Sequence, residues 1–566
     1  MNWRYRVTLL CFLLLFGLII SRLFYWQVVR AQELADIGQA QYDRQITLQA
    51  ERGEIRTSDG YALAANKLNY LVFVNPQVIE DRDDFADDID DLIDVDKATI
   101  SAMLDTDKFW IPLKYKISNE TKEKIEKKDL PGVGFQEQSV RYYPEASIAA
   151  NLLGFVGKDD EGHDKGYFGL EGYYDRQLRG KDGLAVVIKD AAGNPILAKM
   201  SDSTSKVDGR DLILHVDRRI QYMLDQELKA GVERYGAEGA TAAVIDPKTG
   251  AILAMSTFPT YDSSVFYTFD QSRYTNLFTS LAYEPGSTFK PLVMSAALDA
   301  GLIKADTQCP ICAGPVQIGE YQIKTWNDKY TANSSMTDVI VHSDNTGMVY
   351  TGRLLGLDRM IDYFEKFGVG KPTGIDLQGE VFPAIRDRDQ WYEIDQATAT
   401  FGQGLSISPM MLLTAFTAVA NGGQMMEPHV VDKIETAKGD IITIPPKVIG
   451  EPISPQAAKV TTEMMVRAVQ DGESKWLSPK GYRVAGKTGT AQIPVEGHYD
   501  PDKTIASFVG FAPADDPAFL MLVVVDRPST SIYGSETAAP IFFNVAKNIL
   551  TYYGIPPTEP IVDEEE

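Results

Sequence analysis

One serine in the sequence has neighbours that could make it a nucleophile without histidine. Ser287-Thr288-Phe289-Lys290 follows the tight entry Glu284-Pro285-Gly286 and opens a stretch, residues 287–300, that is typical of a helix. Ser287 then lies at a helix amino terminus, with Lys290 one turn away on the same face. The helix end favours a developing alkoxide, and a desolvated lysine can lose its proton near neutral pH. We therefore predict a serine nucleophile with a lysine base.

A histidine-based hydrolase fits the sequence less well. The five histidines, at positions 163, 215, 342, 429 and 498, have no G-x-S-x-G elbow beside them. The S-x-x-K pattern alone is weak evidence in a chain of 566 residues. A second copy, Ser203-Thr204-Ser205-Lys206, has no helix behind it, and we expect the polar residues 201–205 around it to form a linker.

A second motif, Ser343-Asp344-Asn345, begins 56 residues after Ser287. On a turn, the first and third residues can point into one cleft. The Ser343 hydroxyl could then relay a proton, while the Asn345 amide bonds the lysine and a peptide substrate. Standing alone, the tripeptide would be read as an exposed turn.

The third motif, Lys487-Thr488-Gly489-Thr490, begins 200 residues after Ser287 and falls within a predicted strand. Alternation sends Lys487 and Gly489 to one face and Thr488 and Thr490 to the other. Strand twist and an edge position must therefore let Lys487 and the hydroxyls meet one substrate carboxylate. Gly489 marks a close approach to the backbone. A second K-T-G, at residues 248–250, is part of a hairpin turn.

The elements around these motifs are grouped and do not alternate, which favours an α+β domain built on an antiparallel sheet. The apolar runs at residues 240–245 and 251–255 flank the hairpin turn. Further helices are expected over residues 409–420, 454–469 and 540–552, and strands over residues 482–492, 504–511 and 518–526.

The amino-terminal residues 7–29 form an apolar stretch that could cross a bilayer as one helix of about 34 Å. Arg4 and Arg6 precede it, so the amino terminus is expected in the cytoplasm and the rest of the chain outside. A cleaved signal peptide is the alternative, but the stretch is long and no A-x-A site follows closely.

The net charge of −24 argues against a nucleic-acid partner, which needs a basic footprint. Part of the acidic surplus lies in residues 80–96. There Phe85, Ile89 and Leu92 recur at helical spacing, which predicts a helix with one buried stripe and a solvated charged face. Calcium binding is the weaker interpretation, because the ligand ladder with a turning glycine is absent.

The chain has three cysteines, too few for a disulfide framework. Cys309 and Cys312 could form a local disulfide, a redox pair or two idle thiols. We favour a structural or incidental role, since no thioredoxin-like context surrounds them and no further zinc ligands lie nearby.

Together the three motifs, in this order, resemble those of the class B penicillin-binding proteins, the membrane-anchored peptidoglycan transpeptidases of bacteria. The resemblance covers nearly the whole chain. It includes Arg52-Gly53-Glu54-Ile55, Arg141-Tyr142-Tyr143-Pro144, Gly169-Leu170-Glu171, Phe401-Gly402-Gln403-Gly404 and Asn421-Gly422-Gly423. Thr57 and Ser58 depart from the aspartate and arginine that the family pattern has there.

The resemblance implies an α+β architecture in four parts. Residues 1–30 would be a cytoplasmic stub and transmembrane anchor, and residues 31–205 an elongated, non-catalytic pedestal of the dimerisation type. Residues 206–555 would be a transpeptidase domain, similar to serine β-lactamases, with an antiparallel sheet flanked by helices. Residues 556–566 would be an acidic tail.

The resemblance also implies a role for each motif residue. Ser287 would attack the D-Ala-D-Ala end of a stem peptide, with Lys290 as base and Ser343 and Asn345 completing the relay. The remaining residues would bind the substrate's carboxylate or shape its site: Lys487, Thr488, Gly489 and Thr490. The backbone N–H groups of Ser287 and Thr490 would form the oxyanion hole, and no metal or cofactor would be needed.

Two stretches, residues 342–348 and 369–377, look more like the division-specific branch than the elongation branch. This would place the protein in the plasma membrane as a single-pass protein with an extracytoplasmic catalytic domain. Its partners would be a SEDS-family glycan polymerase and other divisome proteins, and β-lactams would inhibit it. A β-lactamase and a non-catalytic β-lactam sensor are the rival interpretations.

Overall fold

A computed structural model describes residues 2–35, 43–189, 195–495 and 498–559 of the chain. It contains two compact units, Met1–Arg52 with Arg179–Gly209, and Gly53–Leu178 with Arg210–Glu566. The described helices are α1 (Trp3–Phe24), α2 (Arg82–Ile93), α3 (Lys97–Leu104), α4 (Asn119–Glu126), α5 (Ala150–Leu153), α6 (Gly169–Tyr173), α7 (Asp175–Leu178), α8 (Arg218–Tyr235), α9 (Leu277–Ser280), α10 (Lys290–Asp299), α11 (Met336–Val341), α12 (Asn345–Leu355), α13 (Leu357–Lys366), α14 (Glu393–Ala399), α15 (Pro409–Ala420), α16 (Pro455–Asp471) and α17 (Ala538–Tyr552).

The described strands form several sheets. They are β1 (Asp43–Leu48), β2 (Ile55–Arg56), β3 (Ala62–Val74), β4 (Ile111–Ile117), β5 (Val133–Tyr142), β6 (Phe155–Lys158), β7 (Asp164–Tyr167), β8 (Gly183–Lys189), β9 (Pro195–Thr204), β10 (Asp211–Leu214), β11 (Gly239–Ile245), β12 (Ile252–Phe258), β13 (Val316–Ile318), β14 (Tyr321–Ile323), β15 (Met425–Met426), β16 (Val431–Glu435), β17 (Ile441–Thr443), β18 (Val448–Gly450), β19 (Ala485–Val495), β20 (His498–Ala512) and β21 (Phe519–Asp526).

The first unit begins with the apolar helix that the sequence predicts. Helix α1 continues into a π-helical turn, Tyr25–Val29. The combined helix has 27 residues and contains an 18-residue window with a mean hydropathy of 2.5, so it is long and apolar enough to cross a membrane. Near its end, the guanidinium groups of Arg22 and Arg30 each lie 5.3 Å from the Trp26 ring centroid.

The first unit also contains a three-stranded antiparallel sheet in the order β1-β8-β9. The prediction of a linker at residues 201–205 was wrong, because residues 201–204 belong to strand β9. The apolar start of β9 pairs with β8, and the polar residues that follow continue the same strand. Backbone groups can complete a ladder whatever the polarity of the side chains.

The second unit contains a seven-stranded sheet in the order β17-β16-β10-β2-β3-β4, with β5 also paired to β3. Strands β2 and β10 run parallel, with Leu212 opposite Ile55. A buried ion pair stabilises this region, since Arg141 Nε lies 2.7 Å from Glu171 and its Nη1 donates to Gly53 O at 2.7 Å. Thr57 is fully buried, and its hydroxyl accepts a hydrogen bond from Tyr61 N at 3.1 Å. The turn after β2 therefore forms without the family's aspartate.

The acidic stretch at residues 80–96 forms a shorter helix than the sequence predicts. Helix α2 begins after Asp81, whose carboxylate accepts from two backbone N–H groups, and it ends at Asp94 in a left-handed conformation. Phe85 and Ile89 are buried as predicted, whereas Leu92 is half-buried and Ile93 is buried instead. The buried stripe and the exposed acidic face are thus confirmed with a small shift. The predicted acidic tail falls mostly outside the described residues.

The third motif lies on a five-stranded antiparallel sheet in the order β12-β11-β21-β20-β19. Phe508 faces a core formed with helices α8 and α17, and its neighbour Val509 faces the core that contains α15 and α16. Helix α15 occupies the predicted residues, with Pro409 in its first turn and every residue buried. The α+β fold with an antiparallel sheet between helices is confirmed, as is the hairpin β11–β12.

The two neighbouring cysteines form a disulfide bond, Cys309–Cys312, and both are fully buried. They are therefore a bonded pair and not idle thiols. The third cysteine, Cys11, lies on helix α1.

Candidate active site

The predicted nucleophile, Ser287, lies in a 3₁₀ turn, Gly286–Phe289, directly before helix α10. Gly286 has a φ of 57°, and its N–H donates to Gly402 O at 3.0 Å. A side chain at Gly402 would overlap the Gly286 backbone, so both glycines are needed for this contact. Thr288 is buried and donates to Pro285 O at 2.7 Å. The turn that carries the half-buried Ser287 is thus held by hydrogen bonds of the residue before it, Gly286, and of the residue after it, Thr288.

Lys290 is the first residue of α10, and its side chain is completely buried. Its Nζ lies 2.6 Å from Ser343 O, 3.1 Å from Ser343 Oγ and 2.8 Å from Asn345 Oδ1. The S-x-x-K and S-D-N motifs are therefore in direct contact, as the sequence predicts. No carboxylate lies within ion-pair distance of Lys290 in the described part of the chain.

Burial lowers the pKa of the Lys290 amine well below its ordinary value of 10.5, and the charge of Lys487 lowers it further. The carboxylates of Asp344 and Glu473 act in the opposite direction. A lysine without a counter-ion in a dry site is more stable in its neutral form. This is the state that a general base requires.

The Ser343-Asp344-Asn345 motif joins two helices. Helix α11 ends just before it, and Ser343 adopts a left-handed backbone conformation with a φ of 54°. Asp344 then caps helix α12 by accepting from Thr346 N at 2.7 Å. With this turn, both the carbonyl and the hydroxyl of Ser343 contact Lys290. Asn345 is held by its Nδ2, which donates to Lys324 O at 2.9 Å.

The third motif lies on β19, which pairs with β20 at the edge of the sheet formed by the described strands. Lys487 is buried, and its Nζ lies 3.2 Å from both the carbonyl and the hydroxyl oxygen of Thr488. The Lys487 amine thus reaches the hydroxyl of the next residue, although alternation places the two side chains on opposite faces of the strand. The Thr490 hydroxyl accepts from Gly534 N at 3.1 Å.

Gly489 is the point where the strand meets the nucleophile turn. A Cβ atom there would overlap Ser507 Oγ and lie 2.8 Å from Thr288 Cγ2. This confirms the close approach that the sequence predicts for Gly489. No hydrogen bond links Ser287 Oγ to Lys290 among the described residues, although the two are three positions apart on one turn.

The second S-x-x-K, at residues 203–206, and the second K-T-G, at residues 248–250, are called the decoy motifs here, and both lie in other surroundings. Lys206 is partly exposed, with its Nζ 3.1 Å from Asp208 and 3.5 Å from Glu51. Lys248 lies in the hairpin turn and forms an ion pair with Asp516. Neither side chain is shielded from water, so burial does not favour a neutral amine at Lys206 or Lys248 as it does at Lys290.

Sequence reasoning missed three side chains near the motifs. Glu473 accepts from Thr488 Oγ1 at 3.1 Å, although it is 15 residues away and belongs to no motif. Trp326 and Tyr533 contact edge to face with ring centroids 5.7 Å apart. They join the segments of two motifs, since the Trp326 indole N–H donates to His342 O at 3.4 Å and Tyr533 precedes Gly534. The sequence gives little signal for these contacts, because Glu473, Trp326 and Tyr533 belong to no motif; the neighbouring Gly472 and Gly534 are the nearest indications.

Two family models match the chain. The penicillin binding protein transpeptidase domain matches residues 240–549, and the penicillin-binding protein dimerisation domain matches residues 47–214. The three motifs lie within the first match, and Thr57 and Ser58 lie within the second.

Individual relatives cover almost the whole chain. Stage V sporulation protein D of Bacillus subtilis is 33% identical over 98% of this chain and 87% of that protein. Peptidoglycan D,D-transpeptidase FtsI of Escherichia coli is 28% identical over 98% of this chain and 93% of that protein. The crystal structure of penicillin binding protein 3 from Mycobacterium tuberculosis, complexed with aztreonam, matches with a TM-score of 0.71 and 26% identity. The match covers 92% of this chain and all of that one.

The close approach at Gly489 leads to a prediction for Gly489→Ala. The new methyl group must displace Thr288 and Ser507, which shifts the nucleophile turn against β19. We expect the rate at which a fluorescent penicillin labels the full-length protein to fall at least about tenfold.

The matched control is Gly314→Ala, where a Cβ atom meets nothing within 4 Å. Its labelling rate should stay within about twofold of the unmodified protein. Equal labelling rates for Gly489→Ala and Gly314→Ala would contradict the assigned contact.

Proposed function

We propose that this chain, which belongs to the class B penicillin-binding proteins, crosslinks peptidoglycan stem peptides through an acyl-enzyme on Ser287. The family's reaction is D,D-transpeptidation of peptidoglycan, and this chain is a serine-type transpeptidase of that family. One observation carries the residue assignment: the buried amine of Lys290 contacts Ser343 and Asn345 and lies one turn from Ser287.

In the proposed acylation step, Ser287 Oγ attacks the carbonyl carbon of the D-Ala-D-Ala bond and its proton passes to Lys290 Nζ. The resulting oxyanion is stabilised by the backbone N–H groups of Ser287, in the first turn before α10, and Thr490, on the edge strand. Donors of this kind are typically worth about 3–4 kcal/mol each. The C–N bond then breaks and the terminal D-alanine leaves.

The contacts of Lys290 support a proton path to the leaving group. A neutral amine donates two hydrogen bonds and accepts one, whereas an ammonium group only donates. Two of the three partners, Ser343 O and Asn345 Oδ1, can only accept, while the Ser343 hydroxyl can also donate. Lys290 Nζ lies in donor geometry to all three oxygens, and the 3.1 Å contact with Ser343 Oγ is the one along which a proton can pass. After Lys290 takes the serine proton, Ser343 can pass one on to the departing amine.

Lys487, Thr488 and Thr490 are the proposed site for the substrate's terminal carboxylate, with Gly489 giving it room. Lys487 is buried and forms no ion pair among the described residues, so a substrate carboxylate would supply the counter-ion of its protonated amine. The acyl-enzyme is then resolved by an amine from a neighbouring stem, which forms the crosslink and returns the proton to Ser287. A β-lactam would acylate the same serine and block the site.

We propose that residues 31–205 form the pedestal and residues 206–555 the transpeptidase domain of a single-pass membrane protein. Arg4 and Arg6 before the apolar helix support a cytoplasmic amino terminus. The Cys309–Cys312 disulfide supports an extracytoplasmic catalytic domain, because disulfides persist in oxidising compartments.

We further propose a role in septal wall synthesis with a SEDS-family glycan polymerase and divisome proteins as partners. The relative named FtsI and the sequence at residues 342–348 and 369–377 support the division branch. The relative named stage V sporulation protein D offers a second candidate, crosslinking during sporulation.

The acyl-enzyme is tested by incubating the detergent-solubilised full-length protein with a penicillin and measuring its intact mass. We expect a stable adduct that disappears in Ser287→Ala, because the nucleophile is lost. Ser203→Ala removes the serine of the decoy motif and should keep the adduct. A penicillin that is rapidly hydrolysed would indicate a β-lactamase, and an adduct that survives in Ser287→Ala would refute the assigned nucleophile.

The cellular role is tested by depleting the protein in its own host. A septal transpeptidase should give filaments, because elongation continues while septa fail. Expression of the unmodified protein should restore division, and the Ser287→Ala protein should not. Rounded cells would instead indicate elongation, and normal growth with a block only in sporulation would support the second candidate.

A further inference from the structure

The active site contains two buried lysines that need opposite protonation states. Lys290 must be neutral to accept a proton, and Lys487 must be charged to hold a carboxylate. Both side chains are at most 3% exposed, so burial favours the neutral form of both. Something in the site must therefore distinguish the two amines.

Glu473 is connected to only one of these lysines by hydrogen bonds. Its Oε2 accepts from Thr488 Oγ1 at 3.1 Å, and the same oxygen of Thr488 lies 3.2 Å from Lys487 Nζ. The Thr488 hydroxyl thus donates to the carboxylate and accepts from the ammonium group. Lys290 has no such link to Glu473 among the described residues, since its contacts are with Ser343 and Asn345.

The backbone around Glu473 is held firmly. Gly472, at the end of α16, is so closely packed that a Cβ atom there would overlap Ala468 O and lie 2.9 Å from Val341 O. On the other side, Ser474 is buried. The half-buried carboxylate therefore extends toward β19 from a fixed point between two packed residues.

We propose that Glu473 is a positioning residue that orients the Thr488 hydroxyl and keeps Lys487 charged, so that Lys487 binds the substrate's carboxylate while Lys290 stays neutral. This inference rests on the proposed transpeptidase function. It assigns a task to a residue that lies outside all three motifs.

The charges in the site agree with this division of tasks. Burial lowers the pKa of Lys487, and Glu473 is the group that raises it. For Lys290, the charge of Lys487 adds to the effect of burial, while Asp344 and Glu473 oppose both. A charged Lys487 thus helps to keep Lys290 neutral. Removing the charge of Glu473 should let Lys487 lose its proton at a lower pH.

The test is the pH dependence of acylation by a penicillin, measured on the full-length protein between pH 6 and 10. In Glu473→Gln the amide oxygen can still accept from Thr488, but the negative charge is gone. We expect the alkaline limb of the profile to move to lower pH by about one unit, which corresponds to about a tenfold loss of rate on that limb. Glu473→Asp, which keeps the charge on a shorter side chain, should lie between the two.

A penicillin methyl ester supplies the second readout, because it lacks the carboxylate that Lys487 would bind. The unmodified protein and Glu473→Gln should differ less than about twofold toward the ester. Asp471→Asn is the matched control, since it removes an exposed carboxylate two residues earlier, where it pairs with Arg467. Its pH profile should match that of the unmodified protein.

Three results would separate the possible failures. An unchanged alkaline limb in Glu473→Gln would overturn the inference and leave the proposed function intact. An equal loss of rate at every pH, with both the acid and the ester, would also overturn it and indicate a purely structural residue. Failure of the unmodified protein to form any adduct would refute the proposed function itself.

Discussion

The arrangement of the active site depends on the burial of one amine. Lys290 has no access to solvent and no counter-ion within reach among the described residues, and its Nζ is surrounded by three oxygen atoms. Taking a charge out of water is costly, so the fold favours the neutral amine. Three local features position the groups that contact the amine. The 3₁₀ turn leads into α10, where Lys290 is the first residue, and the left-handed backbone of Ser343 places both of its oxygen atoms near Nζ. The side-chain amide of Asn345 is held by its hydrogen bond to Lys324 O.

A second buried lysine, Lys487, influences the protonation state of the first. Lys487 lies on an edge strand that packs against the nucleophile turn at Gly489. Its charge lowers the pKa of Lys290, and Glu473 opposes the loss of that charge. The net charge of −24 describes the surface of the chain, with acidic groups such as those of α2 facing solvent. The two buried lysines are local exceptions, and the proposed role of Lys487 is to bind the carboxylate of a peptide substrate.

The sequence allowed the three motifs and most catalytic elements to be predicted, because each motif is local. Helix α15 is apolar throughout and bounded by Ser408 and Asn421, so its ends were readable. Other features depend on distant partners. Residues 201–204 look like a linker but continue strand β9, in which Thr204 pairs with Leu184 of β8. The role proposed for Glu473 depends on its contact with Thr488, which lies on another element. The parallel pairing of β2 with β10 joins residues more than 150 positions apart, and no local sequence pattern predicts it.

The proposed reaction requires Lys290 to take up and give back a proton, and the most direct measurement of this requirement is the acylation rate of Lys290→Arg. Arginine keeps a long, positively charged side chain but cannot lose its proton in a protein. We predict that penicillin acylation of the full-length Lys290→Arg protein is slower by at least about a hundredfold at every pH from 6 to 9. Lys206→Arg in the decoy motif should leave the rate unchanged. A Lys290→Arg protein that is acylated within a few-fold of the normal rate would contradict the account.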